Sequence, residues 1–139
     1  MLDFITAIKN VLEEQEKTTQ NLFEDKIISE NTFYKYKQRC PSLKTLIKIL
    51  NYLEISIDYF FDSDVENNFI PYEYNPEIFY NNIKTILNSR KISGRQFCKD
   101  LNYAKDNLLR WKKGIYPSVQ CLIEISRYLN CSINDLLLE

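Results

Sequence analysis

The second half of this 139-residue chain repeats the pattern of its first half at a nearly constant spacing. When the sequence is shifted by 75 residues, Phe4 aligns with Phe79, and many of the apolar positions that follow also coincide. After one extra residue near Gly114 the shift becomes 76, and 9 of the 23 positions in the range 41–63 are then identical. Because the chain is long enough for two small domains, this repeat predicts two copies of one structural unit.

Each copy carries apolar residues at helical spacing, interrupted by short polar segments that contain helix-capping residues. The first helix of the first copy has its apolar stripe at Phe4, Ile5, Ile8, Val11 and Leu12. The fourth helix of that copy should run from Ser42, and Ser56 is suited to cap the fifth. The sequence contains only two Gly and four Pro and few strand-like alternations. We therefore predict an all-α fold with five helices in each copy and a core formed by the apolar stripes.

The most informative stretch of the second copy runs from Ile92 to Ser118 and contains two short helical patterns separated by a turn. Ser93 is suited to cap the first of these helices, and Gln96 completes the sequence pattern of a capping box, so a helix should begin at Gly94. Asn102 stands where the chain must turn, and asparagine tolerates the left-handed backbone conformation.

The second of these helices is the basic one. Leu108 and Trp111 lie three residues apart on one face, and Gly114 is suited to end the helix. The positions around that face include four cations, namely Lys105, Arg110, Lys112 and Lys113. Two short helices joined by a tight turn, the second one basic, are typical of a helix-turn-helix DNA-binding motif. The alternative interpretation is an ordinary pair of packed helices with a solvated basic face.

Residues 62–77 separate the two copies and differ from both in composition. They hold five acidic residues, no Lys or Arg and two prolines, which predicts a linker. Its aromatic residues, Phe69, Tyr72 and Tyr74, suggest that part of it packs on a domain. Residues 1–61 carry 8 basic and 9 acidic side chains, whereas residues 78–139 carry 10 and 5. Positive charge is therefore concentrated in the second copy, although the whole chain has a net charge of −1.

The composition disfavours an enzyme, a metal site and a membrane protein. The sequence has no His, and its carboxylates are scattered over predicted helix surfaces, so we expect neither catalysis nor a cofactor. The four cysteines have no C-x-x-C spacing, which favours buried, reduced thiols over zinc ligands. No apolar run reaches the ~20 residues that span a bilayer. The first residues, with Asp3, lack the apolar core of a signal peptide, and we expect a cytoplasmic protein.

Together, the motifs of both copies resemble those of the lambda-repressor-like, or Cro/Xre-type, helix-turn-helix domains. In the second copy the resemblance rests on I-S-x-x-x-F-C-x-x-L-N-Y, on L-x-R-W-K-K-G and on the closing L-N-C-S-I-N-D-L-L. In the first copy it rests on I-S-E-N-T-F-Y-K-Y-K, on P-S-L-x-T-L-x-K-I-L and on L-E-I-S-I-D-Y-F-F. The resemblance implies two tandem five-helix bundles, residues 1–61 and 78–139, each with its third helix directed to the major groove of DNA.

The resemblance also implies which residues contact DNA. In the second copy the base-reading positions would be Lys105, Asp106, Leu109 and Arg110. Of these, Arg110 is suited to a bidentate contact with guanine. Phosphate contacts are implied for Ser93, Gly94, Arg95, Lys112 and Lys113. In the first copy the base-reading positions would be Glu30, Asn31, Tyr34 and Lys35, and the phosphate positions would be Thr18, Thr19 and Gln20.

The first copy departs further from the family pattern than the second does. Phe23 and Ile27 occupy its helix-crossing and turn positions, and Lys26 stands where an apolar residue is usual. We therefore expect its second helix to be rotated or shifted by one residue. The second copy has Ala104 where a Ser or Thr cap is usual, but it retains a small Cys98 at the crossing. The second copy is thus the expected principal DNA reader, and the first is the atypical one.

The leading hypothesis is a sequence-specific regulator of transcription that binds double-stranded DNA, with repression as the expected mode. If both copies read DNA, one chain would act as a pseudo-dimer on half-sites about 34 Å apart. If only the second copy reads DNA, the first would serve in homodimerisation or in contact with a protein partner or an effector. The alternative hypothesis is a protein-interaction module on the same fold, such as an antitoxin, an inhibitor or an anti-defence factor of a mobile element.

Overall fold

A computed structural model of the protein describes residues 3–139, and within that range it contains ten α-helices and no β-strand. Met1 and Leu2, which begin the expected first domain, lie outside the described residues. The all-α prediction is confirmed for the described part of the chain. The helices are α1 (Phe4–Glu14), α2 (Thr19–Glu24), α3 (Glu30–Lys35), α4 (Leu43–Leu53), α5 (Ile57–Phe61), α6 (Pro76–Ser89), α7 (Gly94–Asp100), α8 (Asn107–Lys112), α9 (Val119–Leu129) and α10 (Ile133–Leu137). Two compact units, Met1–Pro71 and Tyr72–Glu139, contain five helices each.

In the first unit, polar side chains fix the starts of the helices. Ser42 accepts a hydrogen bond from the backbone N–H of Thr45 at the start of α4, and Ser56 does the same for Tyr59 at the start of α5. Each side chain satisfies a backbone donor that the helix itself leaves unpaired. The Ser56 cap confirms the sequence prediction, and Ser42, expected as the first residue of the fourth helix, is instead its cap. The apolar stripe predicted for α1 is buried, and the inward-facing side chains of α4 are buried with it.

In the second unit, the first helix begins earlier than the repeat predicts. Helix α6 starts at Pro76, three residues before Phe79 and inside the range expected for the linker. The Asn75 side chain accepts hydrogen bonds from the backbone N–H groups of Glu77 and Ile78, at 2.9 and 3.3 Å. Proline suits this first turn because its missing N–H would have no intrahelical partner.

The ends of equivalent helices adopt the same unusual backbone conformation in both units. Six non-glycine residues have φ between 51° and 61°, in the left-handed region, and they form three pairs that follow equivalent helices of the two units. The pairs are Glu16 with Lys91, Lys26 with Asn102, and Glu54 with Asn130. Since this conformation strains residues that carry a β-carbon, its recurrence reflects a shared requirement to stop each helix abruptly. Gly114, with φ 114°, interrupts this correspondence in the turn after α8.

The predicted linker, residues 62–77, is divided between the two units, and each part packs on its own unit. On the first unit, the Asn67 side chain accepts a hydrogen bond from the Ser56 backbone N–H at 2.8 Å. On the second unit, Tyr72 is buried and its hydroxyl is hydrogen bonded to the Asn134 side chain in α10. The Tyr74 ring stacks on Tyr116, with 4.4 Å between the ring centroids. The packing expected for Tyr72 and Tyr74 is confirmed.

The cysteines are free thiols, as the sequence predicted, but their burial differs from the prediction. Cys98 is buried, whereas Cys40, Cys121 and Cys131 are half-buried. Burial raises the pKa of the Cys98 thiol, which keeps it protonated and unreactive. In residues 3–139, no helix has both the length and the hydropathy needed to cross a membrane.

Candidate nucleic-acid interface

Helix α7 starts and stops where the sequence predicts. The Ser93 hydroxyl accepts a hydrogen bond from the Gln96 backbone N–H at 3.0 Å. The Gln96 side chain does not complete the expected capping box and instead donates to the Asp100 carboxylate at 2.5 Å. Asn102 is left-handed, as predicted, and the Tyr103 backbone N–H returns to the Cys98 carbonyl at 2.8 Å. This Schellman-type end turns the chain sharply after a single short helix.

The turn between α7 and α8 is anchored to the core by Tyr103. Its hydroxyl donates to the Glu124 carboxylate in α9 at 2.6 Å, and its ring lies edge-on to Phe97 and Trp111. Burial, followed by the hydrogen bond to Glu124, holds the pKa of Tyr103 far above its usual range. The phenol is therefore neutral and fixes the direction in which α8 leaves the turn.

Helix α8 turns one face to the core and presents the other to solvent. Leu108 and Trp111 are buried, as predicted, whereas Arg110 is exposed and Leu109 is 51% exposed. The helix begins only at Asn107, so Lys105 and Asp106 lie in the preceding turn and not in the helix. The expected base-reading positions are therefore divided between a helical pair and a turn pair. All four are exposed.

The expected phosphate-contacting residues surround the start of α7 and the end of α8. Ser93, Arg95, Lys112 and Lys113 are exposed. Gly94 is half-buried, and a β-carbon there would lie 3.1 Å from Leu108 Cδ1 and 3.7 Å from Lys84 Nζ. A β-carbon at this position would therefore press on Leu108 of α8, whereas its distance to Lys84 of α6 is that of an ordinary van der Waals contact.

Sequence reasoning did not assign Tyr80 and Lys84 of α6 to this surface. Lys112 Nζ lies 4.8 Å from the centroid of the Tyr80 ring, which is within the range of a cation–π contact. Tyr80 and Lys84 are four residues apart in one helix and so share a face. The four-residue spacing could have been seen in the sequence. That this face of α6 lies beside α7 and α8 follows only from the packing of the three helices.

The first unit has the same arrangement with different side chains. Thr18 caps α2 in a reciprocal box with Asn21, while Thr19 and Gln20 begin the helix. Helix α2 has six residues, whereas α7 has seven, and Lys26 therefore occupies the left-handed position. The helix starts at the position that the repeat equates with Gly94 and ends one residue early, so it is shortened at its end, and the expected shift of the whole helix is not confirmed.

The exposed surface of α3 mixes charges and an aromatic ring. Glu30, Asn31 and Lys35 are exposed, and Tyr34 is 41% exposed. Lys37 Nζ lies 5.5 Å from the centroid of the Tyr34 ring. The lysine that the repeat equates with Lys112 thus rests on the outer face of α3 itself and not on the first helix of its unit.

In the second unit, a short helix, a sharp turn and a second short helix with exposed cations form part of a five-helix bundle. These features define a helix-turn-helix DNA-binding module. The model of the Cro/C1-type HTH DNA-binding domain matches residues 82–138 and supports that family for this part of the chain. The match confirms the family that the sequence motifs resemble and supports a DNA-binding regulator. It covers the second unit alone, and the family of the first unit stays a prediction.

No curated protein and no solved structure matches the chain in the corresponding comparisons. Within residues 3–139, there is also no group of three or more His, Cys, Asp or Glu side chains that could hold a metal ion.

Proposed function

We propose that the protein is a sequence-specific regulator that binds double-stranded DNA and represses transcription, with α8 lying in the major groove. The observation that carries this proposal is the exposure of Arg110 and Leu109 on a helix whose other face is fixed by Leu108 and Trp111. A reading helix needs this combination, because its base contacts require free side chains on a rigid support.

Each exposed residue of α8 has a chemical role in this proposal. The Arg110 guanidinium donates two parallel hydrogen bonds to O6 and N7 of guanine, and Leu109 contacts a thymine methyl group. Lys105 and Asp106, in the turn before α8, reach bases or neighbouring phosphates at one end of the site. Arg95 and Lys113 bind the phosphate backbone, and Ser93 and Gly94 approach it at the start of α7.

The first unit has two candidate roles. As a second reader, it would use Asn31, Tyr34 and Lys35, with Thr18, Thr19 and Gln20 near phosphates, and one chain would cover two half-sites. As a protein-binding module, it would use the same surface to contact a partner or a second copy. The exposed carboxylate of Glu30 beside Asn31 and Lys35 favours the second role, because a negative charge on the expected base-reading face repels the phosphates of DNA.

The proposal is tested by selecting binding sites from random duplexes with the full chain and then titrating single variants. Arg110→Ala should weaken binding to the selected site by about 1–3 kcal/mol and relax one base position. Lys35→Ala is the matched control in the first unit, and a smaller loss for it would identify the second unit as principal reader. Unchanged binding by Arg110→Ala would remove Arg110 from the reading role.

Salt dependence separates the two classes of function. Specific DNA binding should weaken steeply between low and physiological salt, because bound phosphates release counterions. If the full chain is retained on no duplex at low salt, and instead forms a stable complex with a protein, the DNA-binding proposal fails. Repression is measured separately, as reduced transcription from a template on which the selected site overlaps the promoter.

A further inference from the structure

Helix α6 brings two side chains to the same surface as the exposed cations of α7 and α8. Its buried face is formed by Phe79, Ile83 and Leu87. Tyr80 and Lys84 flank that face and are half-buried. Their polar ends therefore emerge at the edge where α6 packs on α7 and α8.

The Tyr80 ring holds the ammonium group of Lys112. The distance of 4.8 Å from Nζ to the ring centroid allows attraction between the cation and the negative face of the ring. Lys112 nevertheless remains exposed, so its N–H donors can still reach a ligand in solvent. A lysine that is held in place in this way loses less rotamer freedom when it binds.

Lys84 reaches the same surface from one turn further along α6. A β-carbon at Gly94 would lie 3.7 Å from the Nζ atom of Lys84. Lys84 Nζ therefore lies beside the start of α7. Arg95, the next residue, is exposed and adds a further positive charge beside it.

The first unit lacks this arrangement although its lysines are retained. The repeat equates Lys84 with Lys9 and Lys112 with Lys37, but it equates Tyr80 with Ile5 and Gly94 with Thr19. Ile5 is buried in the core and offers no ring. The combination of a ring on the first helix and a glycine at the start of the second is therefore specific to the second unit.

We propose that Tyr80 and Lys84 extend the DNA-backbone surface of the second unit onto α6. Lys84 binds a backbone phosphate directly, and Tyr80 is a positioning residue that orients Lys112 toward a neighbouring phosphate. This inference rests on the proposed DNA-binding function and adds to it two residues that contact or organise the backbone. Because phosphates carry no sequence information, the surface strengthens binding to all duplexes alike.

The test uses the full chain, a selected duplex and a random duplex of equal length, titrated over a series of salt concentrations. Lys84→Gln should weaken binding to both duplexes roughly 5- to 10-fold at 0.1 M salt and reduce the salt slope by about 0.9. Arg127→Gln, which removes one exposed positive charge from α9, is the matched control and should change the slope much less.

The role of Tyr80 is tested by rescue and by non-additivity. Tyr80→Leu should weaken binding to both duplexes, and Tyr80→Phe should restore it because the ring is kept. Lys112→Gln should cost less affinity in the Tyr80→Leu background than in the natural chain. Trp111 fluorescence in urea, measured on every variant, identifies any loss that comes from unfolding.

The outcomes separate the inference from the function on which it rests. A chain that binds no duplex at low salt overturns the DNA-binding proposal itself. A chain that binds, but does so equally well with Lys84→Gln and Arg127→Gln, overturns the role of Lys84. Equal costs of Lys112→Gln in both backgrounds overturn the positioning role of Tyr80.

Discussion

The two units share a frame but differ at the surface around the third helix. In the second unit, Lys112 rests on Tyr80 of the first helix, which leaves the outer face of α8 open. In the first unit, the Nζ atom of the equivalent Lys37 lies over the ring of Tyr34, which belongs to α3 itself. The two units therefore keep the same buried core. A single difference on the first helix, Tyr80 in place of Ile5, changes which ring the equivalent lysine contacts.

The charge of the two units differs in the same sense. Residues 1–71 carry 8 basic and 12 acidic side chains, whereas residues 72–139 carry 10 and 7. A polyanion is therefore attracted to the second unit and repelled by the first. One frame thus supports two surfaces of opposite net charge.

The largest expected effect tests whether the two units fold independently. Phe79→Ala should destabilise the second unit by about 3–5 kcal/mol, because Phe79 is fully buried and packs edge-on to Trp111. Phe4→Ala removes the equivalent side chain of the first unit. Trp111 is the single tryptophan of the chain, so its fluorescence in urea reports the second unit. We expect only Phe79→Ala to shift this transition, and a similar shift with Phe4→Ala would show that the units unfold together.

The turn before the third helix is polar in the second unit and apolar in the first, where Ile28 is buried. Tyr103→Phe removes the hydrogen bond to Glu124 and should cost the second unit about 1 kcal/mol at neutral pH.

The cost of Tyr103→Phe should also depend on pH in a defined direction. The folded state raises the pKa of Tyr103, so the stabilisation is complete below the unfolded value of about 10 and is lost as pH rises further. The gap in unfolding free energy between the variant and the natural chain should therefore narrow above pH ~10. A gap that stays constant in alkaline urea titrations would contradict this account.

The left-handed position after the second helix should separate the units by a smaller amount. Lys26 carries a full side chain in this conformation, whereas asparagine tolerates it. Lys26→Gly should therefore stabilise the first unit by about 0.5–1 kcal/mol, and Asn102→Gly should leave the second nearly unchanged. Scanning calorimetry of the two variants provides the comparison, and equal shifts would mean that Lys26 is not strained.

The smallest expected effect concerns Tyr74, which precedes the first helix of the second unit. Its buried hydroxyl has no hydrogen-bond partner among the described residues, and burial raises its pKa well above the usual range. Tyr74→Phe should keep the stacking on Tyr116 and change the unfolding free energy by less than about 1 kcal/mol, toward greater stability. A clear loss of stability in chemical denaturation would show that the hydroxyl is satisfied in solution.

The sequence was sufficient for features that depend on residues close together in the chain. The caps at Ser56 and Ser93 and the turn at Asn102 follow from one side chain and the backbone next to it. The helical cores follow from apolar spacing alone.

Features that depend on tertiary packing were missed or displaced. Lys105 and Asp106 were expected in the third helix, but α8 begins only at Asn107 and has no side-chain cap, whereas Ser29 caps α3 at the position equivalent to Ala104. The contact between Tyr80 and Lys112 joins helices that are distant in the sequence, so no local sequence pattern predicts it. The roles of these residues in DNA binding remain predictions.

The second unit begins ten residues before the family match, which matters for the design of chimeric proteins. The family match begins at residue 82, yet Phe79 fills the centre of the bundle, and Tyr72 is already anchored to α10. A chimeric protein that takes only the residues from 82 onward would lack both of these core aromatic side chains. A transferable domain should therefore be longer than residues 82–138 and should include Tyr72 and Phe79.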